Sequence, residues 1–353
     1  MIAFSRAGRV LAAACLLAAC EKSSPTTPST PTSTTPSLAE RPLNAAASML
    51  GKYAGTAVQS GLLGDPTYRA VVEREFGSLT AEYEMKWATE EPAPASFNFG
   101  PGDQILAYAD AHAMRLRGHA LVWHGSVPSW LESLTPEGLR LAVADHIRAV
   151  VGHYRGRVRA WDVVNEAVAD DGAGLRDSIF RRALGDGYIA DAFTIARAAD
   201  PGALLFYNDY GGEGLSAKAN RIYELVRELK SAGVPIDGVG LQMHVSANNR
   251  PPDASIASNM RRIADLGLRV AITEMDVKVN SVAGSQQTRL DAQRSAYHAV
   301  VGLCAAEPGC EGVTFWGFTD AHTWLSGDQP LLFDAQYQPK PAYFGVFDAL
   351  SGQ

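Results

Sequence analysis

Two glutamates attract attention by their placing: Glu166 closes the run Trp161-Asp162-Val163-Val164-Asn165, and Glu274 follows Val270-Ala271-Ile272-Thr273. A charge at the end of an apolar run costs free energy unless a site pairs or uses it. Structural salt bridging is the bland reading of each alone. Two carboxylates brought to one mouth have a sharper use, hydrolysis of a glycosidic bond, in which one protonates the leaving oxygen and the other attacks or activates water. Glu274 and Asp276 are two apart, as are Gln242 and His244, so on strands each pair points one way. His244 can then lie against Glu274, with Asp276 holding the imidazole, and a carboxylate fixed by a donor stays ionised, as a nucleophile must. Glu166 has Val164, Ala167 and Val168 as neighbours, an apolar setting that would raise its pKa and suit a general acid.

Other chemistries fit less well. A metal site could use His119, His124, His244 and the carboxylates, but the first strand lacks a His-x-His pair and no helical ligand spacing occurs, so neither a metal nor another cofactor is expected. There is no Gly-x-Ser-x-Gly elbow for a serine hydrolase and no glycine-rich phosphate turn for a flavin or nicotinamide. Trp87, Trp123, Trp316 and Trp324 fall at or just beyond strand ends, where tryptophan offers a flat platform to the C–H face of a sugar; core packing is the alternative for any one of them.

The elements that must carry these residues recur in order. Eight apolar, β-branched or aromatic runs are found at Tyr53–Val58, Ser78–Tyr83, Leu116–Trp123, Val158–Asn165, Leu204–Asn208, Gly238–His244, Arg269–Met275 and Gly312–Phe318. Between them lie helical patterns, among them Pro136–Tyr154, Ile179–Ala199, Ala217–Ala232, Ile256–Gly267 and Gln286–Cys304. Strand alternating with helix implies a parallel sheet, and eight such units predict an α/β fold, a (β/α)8 TIM barrel forming a single catalytic domain. A doubly wound open sheet is the competing topology, and it would want a phosphate turn after the first strand. A barrel builds its site at the C-terminal strand ends, and seven of the eight runs end there in groups able to bind or react.

The chain has 353 residues, 46% of them hydrophobic and 20% charged, which is globular in composition. Residues 1–19, with Arg6, Arg9 and an apolar run too short to span a bilayer, read as an export signal. Leu17-Ala18-Ala19-Cys20 resembles a bacterial lipobox, which implies lipidation of Cys20, an anchor in a bacterial membrane and a periplasm-facing or cell-surface location. Residues 23–37 are all Ser, Thr or Pro, so 20–38 form a tether and 39–353 the barrel domain. Without the signal the formal charge of −7 becomes −9, which argues against nucleic acid as partner. Cys304 and Cys310, six apart in an exported chain, are expected to form a local disulfide, with two free thiols the alternative. A monomer is expected.

Seven segments in order, Thr80–Trp87, Gly118–His124, Trp161–Ala167, Tyr207–Tyr210, Gln242–His244, Ile272–Asp276 and Gly312–Gly317, resemble the successive signatures of glycoside hydrolase family 10, whose typical members are endo-β-1,4-xylanases. The resemblance implies a retaining mechanism on xylan or xylo-oligosaccharides, with Glu166 as acid/base and Glu274 as nucleophile. It implies that Asn165 bonds the 2-hydroxyl of the sugar being cleaved, that His119 and Gln242 line that subsite, and that His244 with Asp276 sets the charge of Glu274. Lys86 and Glu82 would grip the next sugar towards the non-reducing end, Tyr83 and Asn208 are expected to bind substrate, and Trp123, Trp316 and Trp324 would be apolar walls. The chain departs from the pattern at Tyr83, where the family usually has Asn, at Gly125-Ser126-Val127 in place of a glutamine region, and at Gly211, where Asn often follows Tyr. These departures leave open a member specialised for short or branched oligosaccharides or another β-glycoside. A non-catalytic glycan-binding lipoprotein is the reading of a different class, and loss of a carboxylate would be its mark.

Overall fold

A computed structural model describes residues 43–353; the signal, Cys20 and the tether lie outside the described residues. The strands are β1 (Tyr53–Val58), β2 (Ser78–Ala81), β3 (Arg115–Trp123), β4 (Ala160–Asn165), β5 (Leu204–Asp209), β6 (Gly238–Leu241), β7 (His244–Ser246), β8 (Arg269–Lys278) and β9 (Cys310–Phe315). Every neighbouring pair is parallel. The order β6-β5-β4-β3-β2-β1-β9-β8 closes on itself through β6 against β8, so eight strands make a barrel with helices between them. The fold is the (β/α)8 barrel, not the open sheet.

Helices start where the sequence supplies an acceptor. Thr135, Ser216 and Ser285 each take the backbone N–H three residues on, opening Pro136–His153, Ala217–Ser231 and Gln286–Ala306. The expected helix Ile179–Ala199 is two, Ile179–Leu184 and Tyr188–Ala199, because Gly185 adopts φ 73° and ends the first. Another expected helix, Ile256–Gly267, runs Asp253–Ala264, starting directly after Pro252. No helix among the described residues is long and apolar enough to cross a membrane.

Side chains such as Leu79, Leu121, Val163, Leu205, Val239 and Ile272 are fully buried, and each contributes about 1.5–3 kcal/mol by leaving water. Gly118 is paired in register with Trp161, and a Cβ there would come within 2.2 Å of the indole. Only glycine lets that ring lie across β3. The interior is not wholly apolar, since Arg117 on β3 pairs with Asp162 on β4, both buried. Cys304, at the end of helix Gln286–Ala306, is bonded to Cys310 at the start of β9, with Cα atoms 5.4 Å apart.

The sixth strand departs most from expectation. It stops at Leu241, Met243 turns the backbone at φ 66°, and His244–Ser246 resume as β7 against the far end of β8. Simple alternation from Gln242 to His244 therefore does not hold.

Candidate active site

Glu274 sits within β8 and is 5% exposed. Its Oε1 accepts from Asn208 Nδ2 at 2.7 Å, and its Oε2 lies 3.3 Å from His244 Nε2. Because β7 pairs His244 directly opposite Asp276, the other imidazole nitrogen is 2.8 Å from Asp276 Oδ2. That oxygen also accepts from Trp324 Nε1 at 2.9 Å. Burial alone would lower the His244 pKa, but Asp276 and Glu274 outweigh it and carry the imidazole up to about 10. Burial pushes Glu274 upward as well, and His119 and His244 more than offset it, so its carboxyl is held below its ordinary range. A buried carboxylate kept ionised by an imidazolium is a nucleophile's setting.

Glu166 stands one residue past β4 with φ 57°, in the left-handed region that side chains other than glycine rarely adopt. Three N–H groups converge on its carboxylate: Trp123 Nε1 at 2.9 Å, Gln242 Nε2 at 3.0 Å and Asn165 Nδ2 at 3.2 Å. This corrects the sequence reading. Val164, Ala167 and Val168 are buried in the core, and the Glu166 oxygens meet polar donors rather than an apolar pocket. Gln242 reaches it from the end of β6, in phase with the inward-facing Gly240, and the Met243 turn follows it.

An amide chain joins the two carboxylates. Asn208 Nδ2 also donates to Asn165 Oδ1 at 2.8 Å, while Asn208 Oδ1 accepts from Thr273 Oγ1 at 2.6 Å. Asn208 is fully buried, is not among the residues that line the cleft, and bonds both Asn165 and Glu274 from beneath.

Above the carboxylates opens a cleft of about 450 Å³, at the C-terminal ends of the strands. Of the sequence-predicted residues, Tyr83, Lys86, His119, Trp123, Glu166, Gln242, His244, Glu274, Trp316 and Trp324 line it. Lys86 Nζ lies 4.9 Å from the ring centres of both Tyr83 and Trp123 and 5.8 Å from that of Trp316. Burial lowers its pKa, against the opposing pull of Glu274, Glu82 and Glu166. Glu82 is nearly buried beside it, accepts from Gln59 Nε2 at 3.0 Å, and is pushed upward by burial. Tyr83 and Trp324 are the exposed rings, at 46% and 53%. Trp87 is not a platform: it is buried and stacks on His146 with ring centres 4.0 Å apart.

The model for glycosyl hydrolase family 10 matches residues 42–349. The chain belongs to that family. It is 39% identical over 315 residues to endo-1,4-beta-xylanase B of Thermotoga neapolitana, covering 86% of this chain and 90% of that one. It is similar in structure to native xylanase 10B from Thermotoga maritima, with TM-score 0.85 and 40% identity, over 88% of this chain and 98% of that one. The xylanase 10B of Thermotoga petrophila RKU-1, solved in complex with xylobiose, superposes at TM-score 0.85 with 39% identity, over 88% and 97% of the two chains.

Several residues of this family 10 site were missed from sequence. Asp162 holds His119 at 3.0 Å; burial opposes its ionisation, but Arg117 and His119 pull its pKa below the ordinary value. Tyr207 hydroxyl accepts from the backbone N–H groups of Ala167 and Val168 at 3.0 and 3.1 Å and donates to Asp209 at 2.5 Å. Tyr210 and Lys278 complete the cleft wall. Arg117 and Asp162 carried a readable signal, since both are charges inside apolar strands, the criterion that found Glu166 and Glu274.

Proposed function

We propose that the protein is a retaining endo-β-1,4-xylanase that cleaves xylan or xylo-oligosaccharides by double displacement. The observation that carries this is the pair Glu166 and Glu274 facing one cleft, differently supported yet joined through Asn165 and Asn208. Glu274 attacks the anomeric carbon while Glu166 gives its proton to the glycosidic oxygen, which leaves with the bonding electron pair as a hydroxyl. The glycosyl ester on Glu274 is then opened by water, whose proton returns to Glu166. His244, held by Asp276, keeps Glu274 ionised between turnovers. Asn165 takes the 2-hydroxyl, where a hydrogen bond that strengthens in the transition state contributes to rate rather than affinity. His119 and Gln242 flank the same sugar; Glu82, Tyr83 and Lys86 bind the next; Trp123, Trp316 and Trp324 supply apolar faces. A retaining pair requires carboxyl groups about 5–5.5 Å apart. The test is release of new reducing ends from xylan by wild type, absent with Glu274→Ala; equal behaviour of the two would refute the reading.

Tyr83 favours a second reading. Its exposed ring in the cleft wall replaces a compact carboxamide and narrows the choice of chain, favouring short or branched oligosaccharides. Product ladders of wild type and Tyr83→Asn should differ; identical ladders remove Tyr83 from specificity. The enzyme is further read as a bacterial lipoprotein, held by Cys20 behind the 20–38 tether, with the barrel of 39–353 working outside the cytoplasm as a monomer. Incorporation of a labelled lipid precursor, abolished by Cys20→Ser, tests the anchor.

A further inference from the structure

Glu166 is held in a left-handed backbone conformation that is unfavourable for a residue with a side chain, so its surroundings must fix it there. The hydroxyl of Tyr207, buried on β5, takes the N–H groups that follow it. From outside, Arg176 takes the carbonyls. Its Nε donates to Glu166 O at 3.0 Å and its Nη2 to Val168 O at 3.4 Å, while its own backbone N–H donates to Ala167 O at 2.6 Å. The guanidinium is in turn gripped by Asp170, 2.7 Å from Nη2, and by the Tyr210 hydroxyl at 3.0 Å. Tyr210 also bonds Asp170, and Lys218 Nζ sits 3.4 Å above its ring.

We propose that Arg176, clamped by Asp170 and Tyr210, is a positioning residue for proton donation, fixing the peptide that carries Glu166 so that its carboxyl meets the leaving oxygen. The proposal rests on the reading of Glu166 as the acid/base. Guanidinium is suited to this because its planar fork spans two carbonyls and a carboxylate at once, which the single ammonium of lysine cannot do. A misplaced acid harms most those substrates whose leaving group needs a proton, and a general acid is worth about 10²–10⁴-fold.

The experiment compares kcat/KM of Arg176→Met, Arg176→Lys, Asp170→Asn and Tyr210→Phe on xylotetraose, a poor leaving group, and on 2,4-dinitrophenyl β-xylobioside, which leaves unprotonated. For both Arg176 variants the expected loss is at least about 10-fold greater on xylotetraose. Asp170→Asn and Tyr210→Phe should move the same way by a smaller factor, and they carry the test if the Arg176 variants do not fold. Equal losses on both substrates, or none, overturn the clamp. Glu166→Ala separates the two readings: without its own selective loss on xylotetraose the acid/base assignment fails, whereas selective loss there and not in the clamp variants rejects only Arg176.

Discussion

At the residue scale, the site works by giving two identical side chains different company. Glu274 faces an imidazole that is itself held by Asp276, and Glu166 faces three neutral N–H donors. The His244 pKa rises on folding from its ordinary 6.5 to about 10. A raised cation favours the folded state: its contribution is complete below pH 6.5 and is lost as pH climbs through 10. The unfolding free energy of wild type relative to His244→Gln should therefore be highest at pH 6 and decline steadily towards pH 10, as urea melts across that range would record. A gap constant with pH would refute the pairing. The carboxylates, His244 and the cleft tryptophans were legible in sequence because each is a polar or large aromatic group where a strand should end. Trp123, Gln242 and Asn165 were named as site residues too, but their convergence on the Glu166 carboxylate was not, because local sequence does not say what β3 and β6 bring across to it.

At the element scale, the strands place the chemistry and the turns between them decide its aim. All eight barrel strands were legible as apolar runs, yet β6 was read too long, because Met243 is a hydrophobic residue in a left-handed turn and looks like strand. Trp87 was misread for a related reason: its position after β2 is that of a platform, but it belongs to the helix Trp87–Glu90, packed inward. That helix also carries Glu90, fully buried with the Tyr154 hydroxyl as its polar neighbour. Burial pushes its pKa up to about 8, so folding favours the protonated form, and stability falls as pH rises from 4.5 through 8. Glu90→Gln should leave the pH 5 melting temperature nearly unchanged and raise that at pH 9, by an amount worth a few kcal/mol; a variant less stable at pH 9 would contradict it. The Cys304–Cys310 bond closes a short loop between helix and strand, and replacing both with serine should cost about 2 kcal/mol, read as a lowered melting temperature with activity retained at 25 °C.

At the scale of the whole molecule, residues 43–353 form one barrel closed by β6 against β8. Its acidity, −9 for the chain after residue 19, suits a neutral polysaccharide, which asks for no basic surface. Catalysis on xylan should change by less than about twofold between 50 and 500 mM NaCl, since no phosphate-like charge is neutralised on binding. A steep salt dependence would point to a charged glycan instead. The fold class was readable because alternation of strand and helix is a property of the entire sequence, insensitive to the boundary errors at β6 and at Gly185.

The proposed double displacement requires a covalent glycosyl ester on Glu274. Wild-type enzyme incubated with 2,4-dinitrophenyl 2-deoxy-2-fluoro-β-xylobioside, digested and analysed by mass spectrometry tests it directly, because the fluorine slows hydrolysis of the ester more than its formation. The fluoroxylobiosyl mass should appear on the peptide bearing Glu274 and on that residue alone. Turnover of xylan with no adduct, or an adduct on another carboxylate, would contradict it.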